Sequence, residues 1–178
     1  TANTPLRLVY FGRLVERKGI ADSIHAIASA LKQNIDVTFD VFGDGEQKSE
    51  LQELAHRLNV EKNVIFHGHV AYGREFLQKI REYDALLFAP NEEDTPRMVF
   101  DSMACGLPLI ASDIPFMKTR AEHDGAVLLF GIGDIDGAVA HIGTLHRDRS
   151  LLAQMSRIAR KSGLGHTVEY WYGKRAEW

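Results

Sequence analysis

Glu93 and Asp101 stand eight positions apart, with the apolar run 85–90 before them and a second, 108–112, after them. Both runs read as strands, so the acids flank a loop-to-helix junction between two strands. In a parallel α/β sheet, polar ligands bind where the carboxyl end of a strand meets the start of a helix. The pair is therefore expected to face a ligand, and general acid–base work is the first chemistry that two such carboxylates suggest. Thr95 is expected to cap the helix that Pro96 begins, since proline is favoured at the first helical position. Glu93 then lies just outside that helix and Asp101 about a turn and a half inside it. The plainer alternative is that Glu92, Glu93 and Asp94 satisfy the helix dipole while Asp101 is a surface acid.

Other loops carry complementary chemistry. Gly12-Arg13-Leu14-Val15-Glu16-Arg17-Lys18-Gly19 follows the first apolar run directly. Cations at the mouth of a parallel sheet, before a helix N-terminus, suit a diphosphate: arginine forks onto phosphate oxygens and lysine supplies a point charge. The spacing is neither that of a P-loop nor that of a G-x-G-x-x-G dinucleotide turn, and a solvated charged loop is the competing reading. In Phe42-Gly43-Asp44-Gly45, the two glycines allow a ligand or a neighbouring backbone to come close; ordinary turn chemistry explains them equally well. His67 and His69 alternate, so they are expected to share one face. No further ligand completes a metal set around them, and no metal is expected. His123, between Glu122 and Asp124, reads as part of an exposed turn.

The elements that position these residues form a regular alternation. Short β-rich runs fall at 6–11, 37–42, 64–67, 85–88, 109–111 and 126–130. Between them, Ile20, Ile24, Ile27 and Leu31 form one helical stripe and Leu51, Leu54, Ala55 and Leu58 another. Phe76 and Ile80 mark a third, shorter helix. Short, nearly continuous apolar strands separated by helices predict a parallel sheet covered on both faces. After Gly131 the strands stop and residues 133–178 read as a helical extension. The expectation is one α/β domain over 1–178, a Rossmann-like, doubly wound parallel sheet of about six strands.

A chain of 178 residues with 45% hydrophobic and 25% charged residues can bury one good core. Its formal net charge of −3, without a basic tail, disfavours nucleic-acid binding. One cysteine, Cys105, excludes an internal disulfide framework and suits a reducing compartment. No apolar run approaches the roughly 18 residues of a membrane span, and the start of the chain does not read as a signal peptide. It opens Thr1-Ala2 without a methionine, as a processed chain or an excised fragment does.

Together these segments resemble the C-terminal, donor-binding half of GT-B glycosyltransferases, in the large retaining family with the E-x7-E signature (glycosyltransferase family 4, or group 1). Residues 8–19 look like its first strand and G-R-L-x-x-x-K-G loop, and Phe42-Gly43-Asp44-Gly45 looks like its G-x-G turn. Val64-Ile65-Phe66-His67-Gly68 looks like the strand before its base-binding loop. Glu93 to Asp101, continued by Met103-Ala104-Cys105-Gly106-Leu107-Pro108, looks like its signature. The resemblance implies a UDP- or GDP-linked sugar as donor and no cofactor. Arg13 and Lys18, beside Gly12, Gly43 and Gly45, would hold the diphosphate and stabilise its leaving charge. Glu93 would orient the donor sugar and Asp101 would take the ribose, with Thr95 and Arg97 in the same pocket. It further implies retained anomeric configuration without a bound metal, and a glycan or lipid-linked acceptor reached through an N-terminal domain absent here. Little or no activity is expected of this domain alone. A cytoplasmic setting is expected, with peripheral association of the full-length protein at the inner face of a membrane.

Two departures stand out. The second acid is aspartate, shorter than glutamate by one methylene, or about 1.5 Å of reach. Asp94-Thr95-Pro96 replaces the usual Gly-Phe-Gly, which removes a backbone donor and adds a negative charge; Arg97 is the cation expected to offset it. These changes motivate a second reading, a binding or scaffold module that has lost catalysis. Another GT-B enzyme, such as a nucleotide-sugar epimerase, is a third. The aromatic end of the chain, with Trp171 and Trp178, is expected either to pack on this domain or to promote self-association.

Overall fold

The computed structural model describes residues 4–166; Trp171 and Trp178 lie outside them. Six strands among them form one parallel sheet: β1 (Leu6–Phe11), β2 (Val37–Phe42), β3 (Val64–Gly68), β4 (Ala85–Phe88), β5 (Leu109–Ser112) and β6 (Val127–Phe130). Their order is β3-β2-β1-β4-β5-β6. The chain winds outward from β1 in one direction, then returns to β4 and winds in the other. This reversal makes β1 and β4 neighbours and opens a crevice at their carboxyl ends, the topological switch point.

Among the described residues seven α-helices cover the sheet: α1 (Ile20–Lys32), α2 (Lys48–Arg57), α3 (Arg74–Ile80), α4 (Arg97–Ala104), α5 (Pro115–Asp124), α6 (Ile135–Arg147) and α7 (Arg149–Leu164). α1 packs on α2 and α6, whereas α7 packs on α4 and α5. β4 and β5 are buried at every residue, which explains their unbroken apolar sequence. Among the described residues no helix is long and apolar enough to cross a membrane.

The local structure departs from the sequence reading at several points. Residues 115–124 form a helix, not a turn, and His123 is exposed in its last turn. Only Met117 and Asp124 of that helix are buried, so it carries no apolar stripe to betray it. His67 and His69 do not share a face. Val41 pairs with Phe66 but Phe42 pairs with Gly68, so His67 is the extra residue of a bulge and the alternation breaks there. Thr95 does not cap α4. Pro96 itself holds the N-cap position in extended conformation and no side chain caps the helix, so Thr95 sits one residue too early.

Candidate functional site

A cleft of about 420 Å³ opens at the carboxyl ends of β1, β2 and β3 and is closed on one side by the start of α4. Its floor follows from backbone crowding. Gly43 has φ +143°, and a Cβ there would stand 1.8 Å from the carbonyl oxygen of Gly12. Only glycine allows the two strand ends to approach so closely. Gly12 N–H donates to Phe42 O, and Gly43 N–H to Gly68 O, at 2.9 and 2.8 Å. Gly45 packs its α-carbon against Leu14 instead, where a Cβ would stand 2.3 Å from the Leu14 carbonyl oxygen, and it does not line the cleft.

The cationic loop enters the cleft from β1. Arg13 is exposed, and its side chain makes no ion pair among the described residues. Its carbonyl accepts from the Tyr10 hydroxyl at 2.8 Å. Burial drives the Tyr10 phenol well above its usual range, with the Asp94 charge adding to the shift and Arg17 opposing it; this tyrosine is a fixed donor. Residues Glu16–Lys18 form a short 3-10 turn that Gly19 ends at φ +63°. The turn draws Lys18 inward until it is only 8% exposed, with its ammonium 5.6 Å from the Phe88 ring centre.

Lys18 is already engaged by an anion. Its Nζ contacts Asp94 Oδ2, and Arg17 reaches Asp94 Oδ1 at 3.1 Å. Burial works to raise the Asp94 pKa, but hydrogen bonds and charge from Lys18 and Arg17 outweigh it and hold this carboxyl below its ordinary range. The cation that offsets Asp94 is therefore not Arg97, as its nearness in sequence suggests. Arg97 starts α4 and its guanidinium reaches Asp101, one helical turn on, at 3.5 Å.

Asp101 faces the cleft from α4. It accepts from the Tyr72 hydroxyl at 3.0 Å, and Arg97 lies over the Tyr72 ring, 4.2 Å from its centre. Burial raises the Asp101 carboxyl above its ordinary value; the Tyr72 hydrogen bond and Arg97 only partly offset it. Opposite, Asp44 pairs with Lys48 at 3.0 Å and accepts from Gly45 N–H. The Lys48 hydrogen bond is the main cause of its lowered pKa.

Of the residues singled out in the sequence, Gly12, Arg13, Lys18, Gly43, Arg97 and Asp101 line this one cleft, and Glu93, Thr95 and Gly45 do not. Glu93 is exposed, and its carboxylate accepts weakly from Phe116 N–H at the start of α5, at 3.5 Å. His69 lines the cleft, whereas His67 pairs with Asp40 and stacks on Phe42 at 4.2 Å. Tyr72 was not legible as a site residue. The available signal was an aromatic residue just beyond a strand's carboxyl end and just before Gly73, where α3 begins. Among the described residues no three His, Cys, Asp or Glu side chains converge to hold a metal ion.

Known proteins resemble this chain in sequence and fold. The family model described as glycosyl transferases group 1 matches residues 1–162. The lipopolysaccharide core biosynthesis glycosyltransferase LpsE of Rhizobium meliloti is 28% identical over 166 residues, covering 92% of this chain and 46% of LpsE. The GtfA subunit of a UDP-N-acetylglucosamine–peptide N-acetylglucosaminyltransferase from Streptococcus pneumoniae is 29% identical over 121 residues, covering 68% of this chain and 23% of that protein. A crystal structure of Anabaena HepE in complex with UDP-glucose superposes with a TM-score of 0.79 at 25% identity, covering 91% of this chain and 44% of HepE. The chain thus spans less than half the length of each of these relatives.

Proposed function

The chain belongs to the group 1 glycosyl transferases, and from that premise we propose that it is the donor-binding part of a glycosyltransferase. The observation that carries the proposal is convergence: Arg13, Lys18, Gly12 and Gly43 meet Asp101 across one cleft at the switch point of a GT-B-like sheet. The ligand that suits this layout has two negative phosphates next to a polar ring. A nucleoside diphosphate sugar, UDP- or GDP-linked, has that form, and the HepE complex holds one of the same kind.

In this reading Arg13 and Lys18 bind the diphosphate and stabilise the charge that grows on it as the glycosidic bond breaks. The positive loop does the work of a metal ion. Asp101, held by Tyr72 and Arg97, takes the ribose hydroxyls. Glu93 stands at the edge, where the donor sugar would project towards a second domain that carries a glycan or lipid-linked acceptor. Transfer proceeds with retention of anomeric configuration, in the cytoplasm or at the inner face of a membrane. This chain alone binds donor and transfers little or no sugar.

The Asp94–Lys18 contact favours a second reading, a binding module whose phosphate site is neutralised from within. A thermal-shift panel with UDP, GDP, ADP and their sugars separates the two, because a ligand bound only by the folded state raises the melting temperature. Protection by one nucleotide, reduced in Arg13→Ala, supports donor binding. No protection at millimolar concentration by any of them supports the neutralised module.

A further inference from the structure

We propose that Asp94 is a built-in competing anion: a nucleoside diphosphate reaches Lys18 and Arg17 only by exchanging with the Asp94 carboxylate. The inference rests on the donor-binding reading above and adds a regulatory step to that site. Its basis is the layout of charges. The side chains of Lys18 and Asp94 are 10% and 13% exposed and in direct contact, so water screens them little and their attraction is strong. Arg17 completes a fork on the other carboxylate oxygen. The most sheltered cation of the cleft is thus satisfied before any ligand arrives.

Arg13 is different: exposed and without an ion pair among the described residues, it offers the first landing point for an incoming phosphate. The second phosphate then meets a carboxylate already seated on Lys18. Two anions crowded onto one poorly solvated ammonium repel each other, so phosphate and carboxylate compete for it. Asp94 can leave because it belongs to residues 91–96, which have no regular secondary structure. Few contacts tie that segment to the cationic turn besides Asp94 itself: Asn91 N–H donates to Arg17 O at 3.2 Å, and Asn91 Nδ2 to Glu16 O at 3.5 Å. Moving the segment breaks no helix or strand.

The test is titration calorimetry with UDP, GDP and inorganic pyrophosphate on the wild-type chain and on Asp94→Asn. Asp94→Gly is a second variant should the amide disturb folding, and thermal unfolding checks that each is folded. Exchange predicts binding tighter by about tenfold or more in both variants. It also predicts that the gain disappears in a Lys18→Ala, Arg17→Ala background, as a double-mutant cycle requires of direct coupling. Asp44→Asn, at a residue that lines the cleft, supplies the control for a general loss of negative charge near the site, and should give a much smaller gain. Unchanged or weaker binding in both Asp94 variants overturns the exchange while leaving donor binding intact. An equal gain in Asp44→Asn also overturns it. Absence of binding by wild type and variants alike overturns exchange and donor binding together.

Discussion

The Tyr72 hydroxyl donates to Asp101 Oδ1 at 3.0 Å, tying the loop after β3 to the first turns of α4 across the mouth of the cleft. Despite that bond and the nearby Arg97, burial leaves the Asp101 carboxyl with a raised pKa. The fold therefore favours its protonated form. That contribution is fully present below the unfolded value of about 3.9 and is lost as pH rises through the folded value. At pH 7 the ionised group costs stability. Asp101→Asn should raise the melting temperature at pH 7 by about 1–3 °C, and the gain should fade towards pH 4. The same variant should weaken nucleoside diphosphate binding, the usual exchange of stability against function. A gain that does not depend on pH would contradict the burial argument.

Arg13 and Lys18 should separate binding from stability. Arg13 is exposed, so Arg13→Ala should leave the free protein within about 0.5 kcal/mol of wild type. It should still lower nucleotide affinity by about tenfold. Lys18→Ala should lower affinity and also destabilise the free protein, because it strands the half-buried Asp94 with only Arg17 as partner. Urea denaturation with and without UDP reads both quantities.

Much of the fold was legible in the sequence because β4 and β5 are buried at every residue, β1 is buried at all but Arg7, and the first two helices carry clear apolar stripes. The bounds read for β1, β2 and β4 are those observed. α5 was not legible, since a helix with so few buried residues has no period to detect. Within the site, the residues at strand ends were legible and those set by long-range approach were not. Asp94 and Lys18 are 76 positions apart, and nothing local to either announces the contact. Arg97 was the obvious partner for Asp94 by sequence distance. Helix geometry aims it at Asp101 instead, since i and i+4 share a face.

Gly43→Ala tests the floor of the cleft. The new Cβ would meet the Gly12 carbonyl at 1.8 Å, at a backbone φ of +143°, so relief requires moving a central strand end. The loss should be about 2–4 kcal/mol, typical of strain at a special backbone position. It should come with loss of nucleotide protection even at temperatures where the variant is folded. Chemical denaturation followed by circular dichroism measures the first, and thermal shift with UDP the second.

Glu93 makes a different prediction because it lies off the cleft. Its one hydrogen bond among the described residues, to Phe116 N–H, is long and exposed, so Glu93→Gln should change stability by less than about 0.5 kcal/mol. Affinity for UDP should be unchanged. Any extra affinity for a UDP-sugar over UDP should be lost, since only the sugar would reach this residue. Calorimetry with UDP and UDP-glucose decides it: an equal loss for both would place Glu93 at the phosphates instead.

Asp94, bound to a cation of the cleft, and Asp101, which lines it, should respond to acid with opposite signs. Lys18 and Arg17 depress the Asp94 pKa below its unfolded value. Its stabilisation is therefore present above about pH 3.9 and is lost as pH falls through the folded value. Wild type should be more stable than Asp94→Asn at pH 7, and the difference should shrink only below about pH 4. Asp101→Asn should be the more stable partner of its own pair at pH 7, with that difference also vanishing in acid. Stability curves for the three proteins from pH 3 to pH 8 should thus start close together and diverge to either side of wild type as pH rises. A common slope for both variants would mean that bulk charge, and not these two local environments, governs the cleft. Because Asp94 stays ionised across the neutral range, protonation cannot release it from Lys18 there. Its displacement at neutral pH must come from another anion, which is the role a diphosphate would fill.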